Sequence, residues 1–442
     1  MSEQNSELVE KIRQQFDSAP YPNIPLDKTP KDDYELLFIH DSVTPYYLRN
    51  QRVINTEGTI ILDAGCGSGY KSLVLAEANP GATIVGIDLS EASVKLAEQR
   101  LHYYGFNNAK FYAMSIADLP QLGLEFDYIN CDDVLYLIPD LVNNLIAMRS
   151  VLKPTGIMRG NLHSAFQRFN YYRAQQAFQL MGLMDSNPGE LEIEVVTETM
   201  QALKDTIILK VATWNQNKNR DSQEVILANY LLQGDTGYTI PDMFAALDAA
   251  GLEFISMVNW RQWGLLDLFE DPENLPLFWA MGLPDLPVPQ QLHLFELIHP
   301  IHRLLDFWCG HPNQANPAPS VANWSESDWQ HAQVSLHPQL RSDKIRDTVT
   351  NSILKHEFFE FSRYITNQTR KPIVVESEIA ADLYPLWEGP QSLAALAQRS
   401  LQIRPRNPIT LEPRTLEQAT QEIQDLLTRL EVFLYILLET RP

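Results

Sequence analysis

The sequence predicts an α/β protein: a Rossmann-like doubly wound sheet with a helical insertion, followed by a mainly helical C-terminal region. Three observations predict it. The stretch ILDAGCGSGY, Ile61 to Tyr70, is an apolar run that stops at Asp63 and turns through Gly65, Gly67 and Gly69 into a segment able to open a helix. Further apolar, β-branched runs recur at 83–87, 110–114, 126–130 and 157–162, with helix-forming stretches between them. The first of these runs ends in Asp88, about twenty residues beyond the glycine turn, where nucleotide folds place the carboxylate that accepts both ribose hydroxyls.

The turn is the most specific of these signals. Alternate glycines let bare backbone approach a ligand closely, because no Cβ fills the space. A dinucleotide turn would need a third glycine at 70, where Tyr70 stands, and no G-K-[ST] closes the run as a phosphate loop requires. An acidic residue ahead of the first glycine suits a ligand bearing a positive amino group, as S-adenosylmethionine does, better than it suits phosphates. On Asp63, Gly65, Gly67 and Gly69 the segment resembles the nucleotide-binding loop of the class I S-adenosylmethionine-dependent methyltransferases. The resemblance implies S-adenosyl-L-methionine as cofactor, held by Asp63, Gly65, Cys66, Gly67, Gly69, Asp88, Leu89, Ser115, Ile116 and Asp132. Ser115 departs from the family pattern, which has an acidic side chain near the adenine; its hydroxyl and the Ile116 amide are expected there instead.

The remaining elements follow in register. Ser90 caps a helix with Val94, Ala97 and Leu101 on one face. A helix over 141–152 ends in the turn LKPTG, and the fifth strand comes next. From 164 to about 236 the chain is mixed and helix-rich, with Phe166, Phe169, Tyr172 and Ala177 at helical spacing, an insertion expected over the ligand crevice. The sheet resumes near Tyr238 with a helix between Pro241 and Gly251 and a strand over 252–258. These features divide the chain into a lid segment 1–54, a cofactor domain 55–262, a helical middle 263–372 and a C-terminal domain 373–442. In the lid, QQFDSAPYPNIP runs from a helix end into an extended piece, and Phe16, Tyr21, Tyr34, Tyr46 and Tyr47 could cover the cofactor or pad the first helix. A leucine stripe from Leu416 through Leu437 predicts one long amphipathic helix. The last domain is similar to the winged-helix-like regulatory region of some bacterial methyltransferases. The general build also resembles cyanobacterial members, among them the phycobiliprotein asparagine type.

Composition bounds the function. At 442 residues with formal net charge −22, the chain exceeds one typical core and disfavours a nucleic-acid partner. Cys66, Cys131 and Cys309 are too few for a disulfide framework, and no apolar run is long enough to span a membrane, so a cytoplasmic protein is expected. His293, His299, His302, Cys309 and His311 match no common zinc spacing and read as structural; no metal is expected.

Methyl transfer asks chiefly for an acceptor held in line, and for a base only where the acceptor must shed a proton. At the strand ends the candidates are Asp132, Asp133, Asn161 and His163, then Tyr171, Tyr172 and Arg173, with His163 and Asp133 ranked first as catalytic. The expected acceptor is a protein side chain, docked on the appended regions. The alternatives are a small molecule enclosed by Phe166, Phe169, Tyr171 and Tyr172, or a non-catalytic sensor. A homo-oligomer is compatible with this build.

Overall fold

The computed structural model describes residues 3–18, 20–217, 220, 222–316, 319–365 and 372–440. They form two compact units, Met1–Asp27 with Ile60–Leu73 and Thr83–Pro312, and Lys28–Thr59 with Val74–Ala82 and Asn313–Pro442.

The first unit is built on an eight-stranded sheet. Its strands are β1 (Ile60–Ala64), β2 (Thr83–Asp88), β3 (Lys110–Ala113), β4 (Phe126–Cys131), β5 (Leu152–Ser164), β6 (Gly237–Tyr238), β7 (Glu253–Met257) and β8 (Leu304–Gly310). The order is β3-β2-β1-β4-β5-β8-β7, with β6 paired to the end of β5. Only β8 runs antiparallel, between β5 and β7. Leu62, Val85, Ile129, Met158 and Phe307 are buried, as strands covered by helices on both faces require. The order reverses between β1 and β4, so the ligand crevice lies at the carboxyl ends of these strands.

Most expected elements appear with small boundary shifts. Ser90 Oγ accepts from Ser93 N at 3.0 Å at the start of helix Glu91–Tyr103. Gly251, at φ +67°, ends helix Ile240–Ala250. The insertion holds helices Phe169–Leu180, Glu190–Ala202 and Gln223–Tyr230 around its own core of Phe178, Val196, Met200, Trp214 and Tyr230.

Four expectations are corrected. LKPTG is not a turn after a helix: Leu152 already pairs with Phe126, and an irregular register carries the strand on to Ile157. The sheet does not end at 262. Strand β8 lies inside the segment taken as helical middle, and it must, because its Asp306 meets a buried arginine of β5. The lid is shorter than 1–54, since residues from Lys28 to Thr59 cluster with the second unit. There Tyr34 packs edge-on against Tyr364, and Tyr47 accepts from Leu438 N at 3.0 Å. Finally, the leucine stripe is not one helix. Helix Leu416–Glu431 stops, Leu434 turns at φ +57°, and Ile436–Thr440 becomes a strand that opens on three buried apolar residues.

That strand belongs to the second unit, whose strands are β9 (Ala332–Leu336), β10 (Phe359–Glu360), β11 (Val374–Val375), β12 (Gln391–Ser392) and β13 (Ile436–Thr440). Strands β12, β9 and β13 form an antiparallel sheet in that order, beside helices Asp343–Lys355, Ser377–Leu383, Leu393–Ile403 and Leu416–Glu431. Among the described residues, no helix is long and apolar enough to cross a membrane.

The sheet interior of the first unit encloses an ionic cluster. Arg159, on β5, donates twice to Asp306 of β8 (3.0 and 2.6 Å), once to Asn130 of β4 (3.0 Å) and once to Asp132 (3.3 Å). Removing one partner of such a pair strands a buried charge. Arg159→Met should therefore cost about 3–5 kcal/mol in urea unfolding, while pairing it with Asp306→Leu should recover most of the loss. Equal costs for the single and double variants would contradict this account.

Candidate active site

The glycine turn is closed upon itself. Gly65 N and Cys66 N both donate to Ile87 O at 2.8 Å, Gly67 N to Asp88 Oδ2 at 2.9 Å, Ser68 N to Tyr21 O at 2.9 Å and Gly69 N to Cys66 O at 2.9 Å. Five successive amides thus point at protein acceptors. A phosphate site needs the opposite, donors turned outward. The glycines also serve a purpose beyond the one expected from the sequence. A Cβ on Gly67 would stand 2.1 Å from the Tyr21 carbonyl oxygen, and one on Gly69 would stand 2.5 Å from Ala97 Cα. Part of the space they leave is filled by the chain itself.

Asp63 does not face the crevice as an open carboxylate. It is buried, accepting from Ser72 Oγ at 2.6 Å and Asn130 Nδ2 at 2.9 Å. Burial pushes its pKa up to about 6 against the pull of those two hydrogen bonds. It ties the helix that follows the turn to β4. Cys66 is buried beside it, and burial raises its thiol well above the usual range. Asp88, at the end of β2, accepts from Gly67 N and from Ser90 N (both 2.9 Å), which fixes the carboxylate and leaves lone pairs for further donors. Leu89 follows it, partly exposed. Met114 N donates to the Asp88 backbone carbonyl at 2.8 Å, so Ser115 and Ile116 follow just after the end of β3, the neighbour of β2. Ser115 Oγ is engaged as a cap, accepting from Ala117 N at 3.2 Å.

The acceptor side forms a second network. Asp132 is buried between Lys71 Nζ (2.6 Å), Arg159 and Asn161 Nδ2 (2.5 Å), so it holds neighbouring residues in place. Asn161 Oδ1 in turn accepts from Asp133 N at 2.9 Å. Asp133 has a left-handed backbone, φ +58°, rare for a residue with a Cβ. Its Oδ1 accepts from Tyr136 OH (3.1 Å) and Arg303 Nη2 (3.3 Å), and 24% of its side chain stays open to solvent.

His163 is placed differently from the expectation of a free base. Its Nδ1 lies 2.6 Å from Asp235 Oδ1, and its Nε2 accepts from Arg303 Nη1 at 2.8 Å. Tyr136 stacks on the ring at 3.5 Å. Both nitrogens are engaged and the ring is buried. Burial, helped by the charges of Arg168 and Arg303, lowers its pKa to about 4 despite Asp235. The imidazole is therefore neutral, donating from Nδ1. Burial would raise Asp235, but the His163 hydrogen bond and the Arg168 charge outweigh it and hold the carboxylate at about 2. Arg168 Nη2 and Gln175 Nε2 complete its shell at 2.8 and 2.9 Å. Tyr171 and Tyr172 line this arginine, and Arg173 stacks on Phe169 outside it.

A family model described as a methyltransferase domain matches residues 55–229. The chain carries a methyltransferase domain. It is an enzyme that uses S-adenosylmethionine as donor. A Synechococcus protein of undescribed function is 26% identical over 71% of this chain and 73% of its own length. The ubiquinone biosynthesis O-methyltransferase of Thiobacillus denitrificans is 38% identical, over 22% of this chain and 42% of its own. A Rickettsia prowazekii protein is 28% identical over 23% of its own length, so these last two relatives are matched only in part. Among solved structures, PKMT2 from Rickettsia typhi in complex with AdoHcy has a TM-score of 0.60 at 18% identity, over 96% of this chain and 78% of that one. This likeness shows the fold.

The residues of the methyltransferase domain fit the donor. The fixed Asp88 carboxylate suits a pair of ribose hydroxyls, and a turn with inward amides suits a cationic ligand better than an anionic one. Asp63 and Asp132 contribute by holding the turn and the strand ends. Arg303, Asp235, Arg168 and Arg100 escaped the sequence reading, because no motif marks them and each acquires its partners only through the fold. Of the five metal candidates, His302 stacks on Trp263, His311 Nε2 meets Leu152 O at 3.0 Å, and Cys309 is buried within β8.

The displaced His163 pKa has a measurable consequence. A neutral buried histidine contributes stability above its ordinary pKa of 6.5, and that contribution is lost as pH falls toward 4. The wild type should lose about 3 kcal/mol from this source across that window, and His163→Gln should flatten the slope. Parallel stability–pH curves for the two proteins would refute the assignment.

Proposed function

We propose that the enzyme transfers a methyl group to a side chain of a protein, with Asp133 as the group that orients and, where needed, deprotonates the acceptor. One observation carries the choice of acceptor. A small-molecule pocket required Phe166, Phe169, Tyr171 and Tyr172 to close over the acceptor, yet Phe166 and Phe169 are 39% and 58% exposed. Tyr171 and Tyr172 are committed to Arg168 and Asp235. An insertion that turns aromatic faces outward at the carboxyl edge of the sheet favours a surface over an enclosure. The likeness to PKMT2 over nearly the whole chain supports the same reading.

Bound in the crevice, S-adenosylmethionine supplies an already activated methyl group. The protein's own contribution is placement. The bonds from Tyr136, Arg303 and the Asn161-held backbone fix Asp133 Oδ1, and the carboxylate keeps an open edge toward the acceptor. His163, tied at both nitrogens, positions Arg303 and does not take the proton. The finer identifications belong with this proposal. An amide acceptor, as in the phycobiliprotein asparagine type, must shed a proton, and we assign Asp133 to receive it. A winged-helix-like C-terminal region would serve as the docking element.

The test is transfer of label from methyl-labelled S-adenosylmethionine into host lysate separated into protein and small-molecule fractions. Label in one protein band, lost with Asp88→Ala, is the expected result. Label in the small-molecule fraction would overturn the protein acceptor, and donor binding without transfer would favour a sensor. Asp133→Asn should lower turnover about 10²-fold or more with donor affinity nearly unchanged. Unaltered turnover would remove Asp133 from the mechanism.

A further inference from the structure

Arg100 is a buried guanidinium whose hydrogen-bond acceptors, among the described residues, include no carboxylate. It lies on helix Glu91–Tyr103, 1% exposed, and donates to three backbone carbonyls: Ser68 O (3.0 Å), Ile24 O (2.7 Å) and Pro25 O (2.9 Å). The Tyr70 ring lies 5.8 Å from its charged carbon. Burying an arginine costs several kcal/mol, so a fold keeps one where its fork of donors fixes something neutral groups fix less well.

The three carbonyls come from two separate stretches of chain. Ser68 belongs to the donor-binding turn, and Ile24 and Pro25 belong to the strap that follows the first helix, Glu3–Ser18. Ser68 reinforces the junction from the other side, its N donating to Tyr21 O at 2.9 Å and its Oγ to Pro22 O at 2.7 Å. The Tyr21 carbonyl occupies the place a Cβ on Gly67 would take. The strap is thus held by four hydrogen bonds donated by Arg100 and Ser68, and lifting it would leave a buried cation and its carbonyls unpaired.

We propose that Arg100 is a positioning residue that latches the strap 20–25 onto the donor-binding turn. The latch sets how long the donor and its demethylated product stay bound. This rests on the turn being the donor site. With the latch closed, turn and strap form one unit. Opening it breaks the Arg100 and Ser68 bonds together, so the strap has two discrete positions and no gradual drift between them.

The probe is S-adenosylhomocysteine, with dissociation followed by stopped-flow fluorescence on the full chain. Arg100→Met should raise the dissociation rate at least tenfold, Ser68→Ala about threefold, and Arg100→Lys should lie between Arg100→Met and the wild type. The double variant Arg100→Met/Ser68→Ala should fall well short of the product of the single effects, because both sever one strap. Amide exchange over 20–25 should quicken in the same variants. A purely structural arginine would instead lower the unfolding midpoint and give multiplicative effects with the strap still protected, and that result would overturn the proposal. If Arg100→Met does not fold, Ser68→Ala decides, since an unchanged rate there is equally fatal. Failure of the unmodified chain to bind the probe at all would overturn the donor reading and the latch with it. Binding with unaltered rates in the variants would overturn the latch alone.

Discussion

The carboxyl edge of the sheet depends on one buried guanidinium, that of Arg159. A lone charge at that depth is untenable, and what makes it stable is that its acceptors come from three places at once: Asn130 on β4, Asp132 just past β4 and Asp306 on β8. The bidentate bond to Asp306 explains why an antiparallel strand must lie beside β5, and the contact to Asp132 carries the order outward. Asp132 holds Lys71 at the start of the helix after the glycine turn and holds Asn161 on β5. Asn161 then fixes the strained backbone of Asp133. A chain of charge-assisted bonds therefore runs from the sheet interior to the carboxylate we assign to the acceptor. The donor and acceptor sides share its geometry.

Beyond Asp133 the same logic is applied to a histidine. Arg168 and Arg303 flank His163, and two cations beside a buried imidazole make a third positive charge unfavourable. Asp235, low in pKa, balances Arg168 and orients the ring. The ring is then a rigid, neutral spacer that hands Arg303 to Asp133. A general base needs an open lone pair, and His163 has spent its own on Arg303. Strand-end position singled out His163, and its hydrogen bonds show how the ring is held.

Much of this was legible in the sequence for a physical reason. Glycine spacing, Asp88 and the periodic apolar runs report local backbone demands, and local demands are written in adjacent residues. The doubly wound sheet, the insertion and the helix near Pro241 follow from them. Strand β8 was not legible, because its identity depends on Asp306 meeting Arg159, about 150 residues earlier. The C-terminal stripe misled in the opposite way: Leu434 and Leu437 continue a helical spacing that the chain abandons after Glu431 to complete a three-stranded sheet. Among site residues, Asp63 was recognised by position, but its inward bonds to Ser72 and Asn130 needed the folded chain to be seen. Arg303 and Arg100 sit in no motif at all.

The inward amides of the glycine turn and the buried Asp63 together explain why this glycine-rich loop differs in chemistry from a phosphate loop. A loop that binds anions must leave its donors unsatisfied until the ligand arrives. Here each amide from Gly65 to Gly69 is already bonded, one of them to the strap. The preorganised surface that remains is acidic at Asp88 and carries no outward amide row, so it repels phosphate and accepts hydroxyls and positive charge. Because Ser68 N is bonded to Tyr21 O, the selectivity of the turn and the position of the strap are not separable properties. Whatever shifts the strap also changes which donors the turn presents.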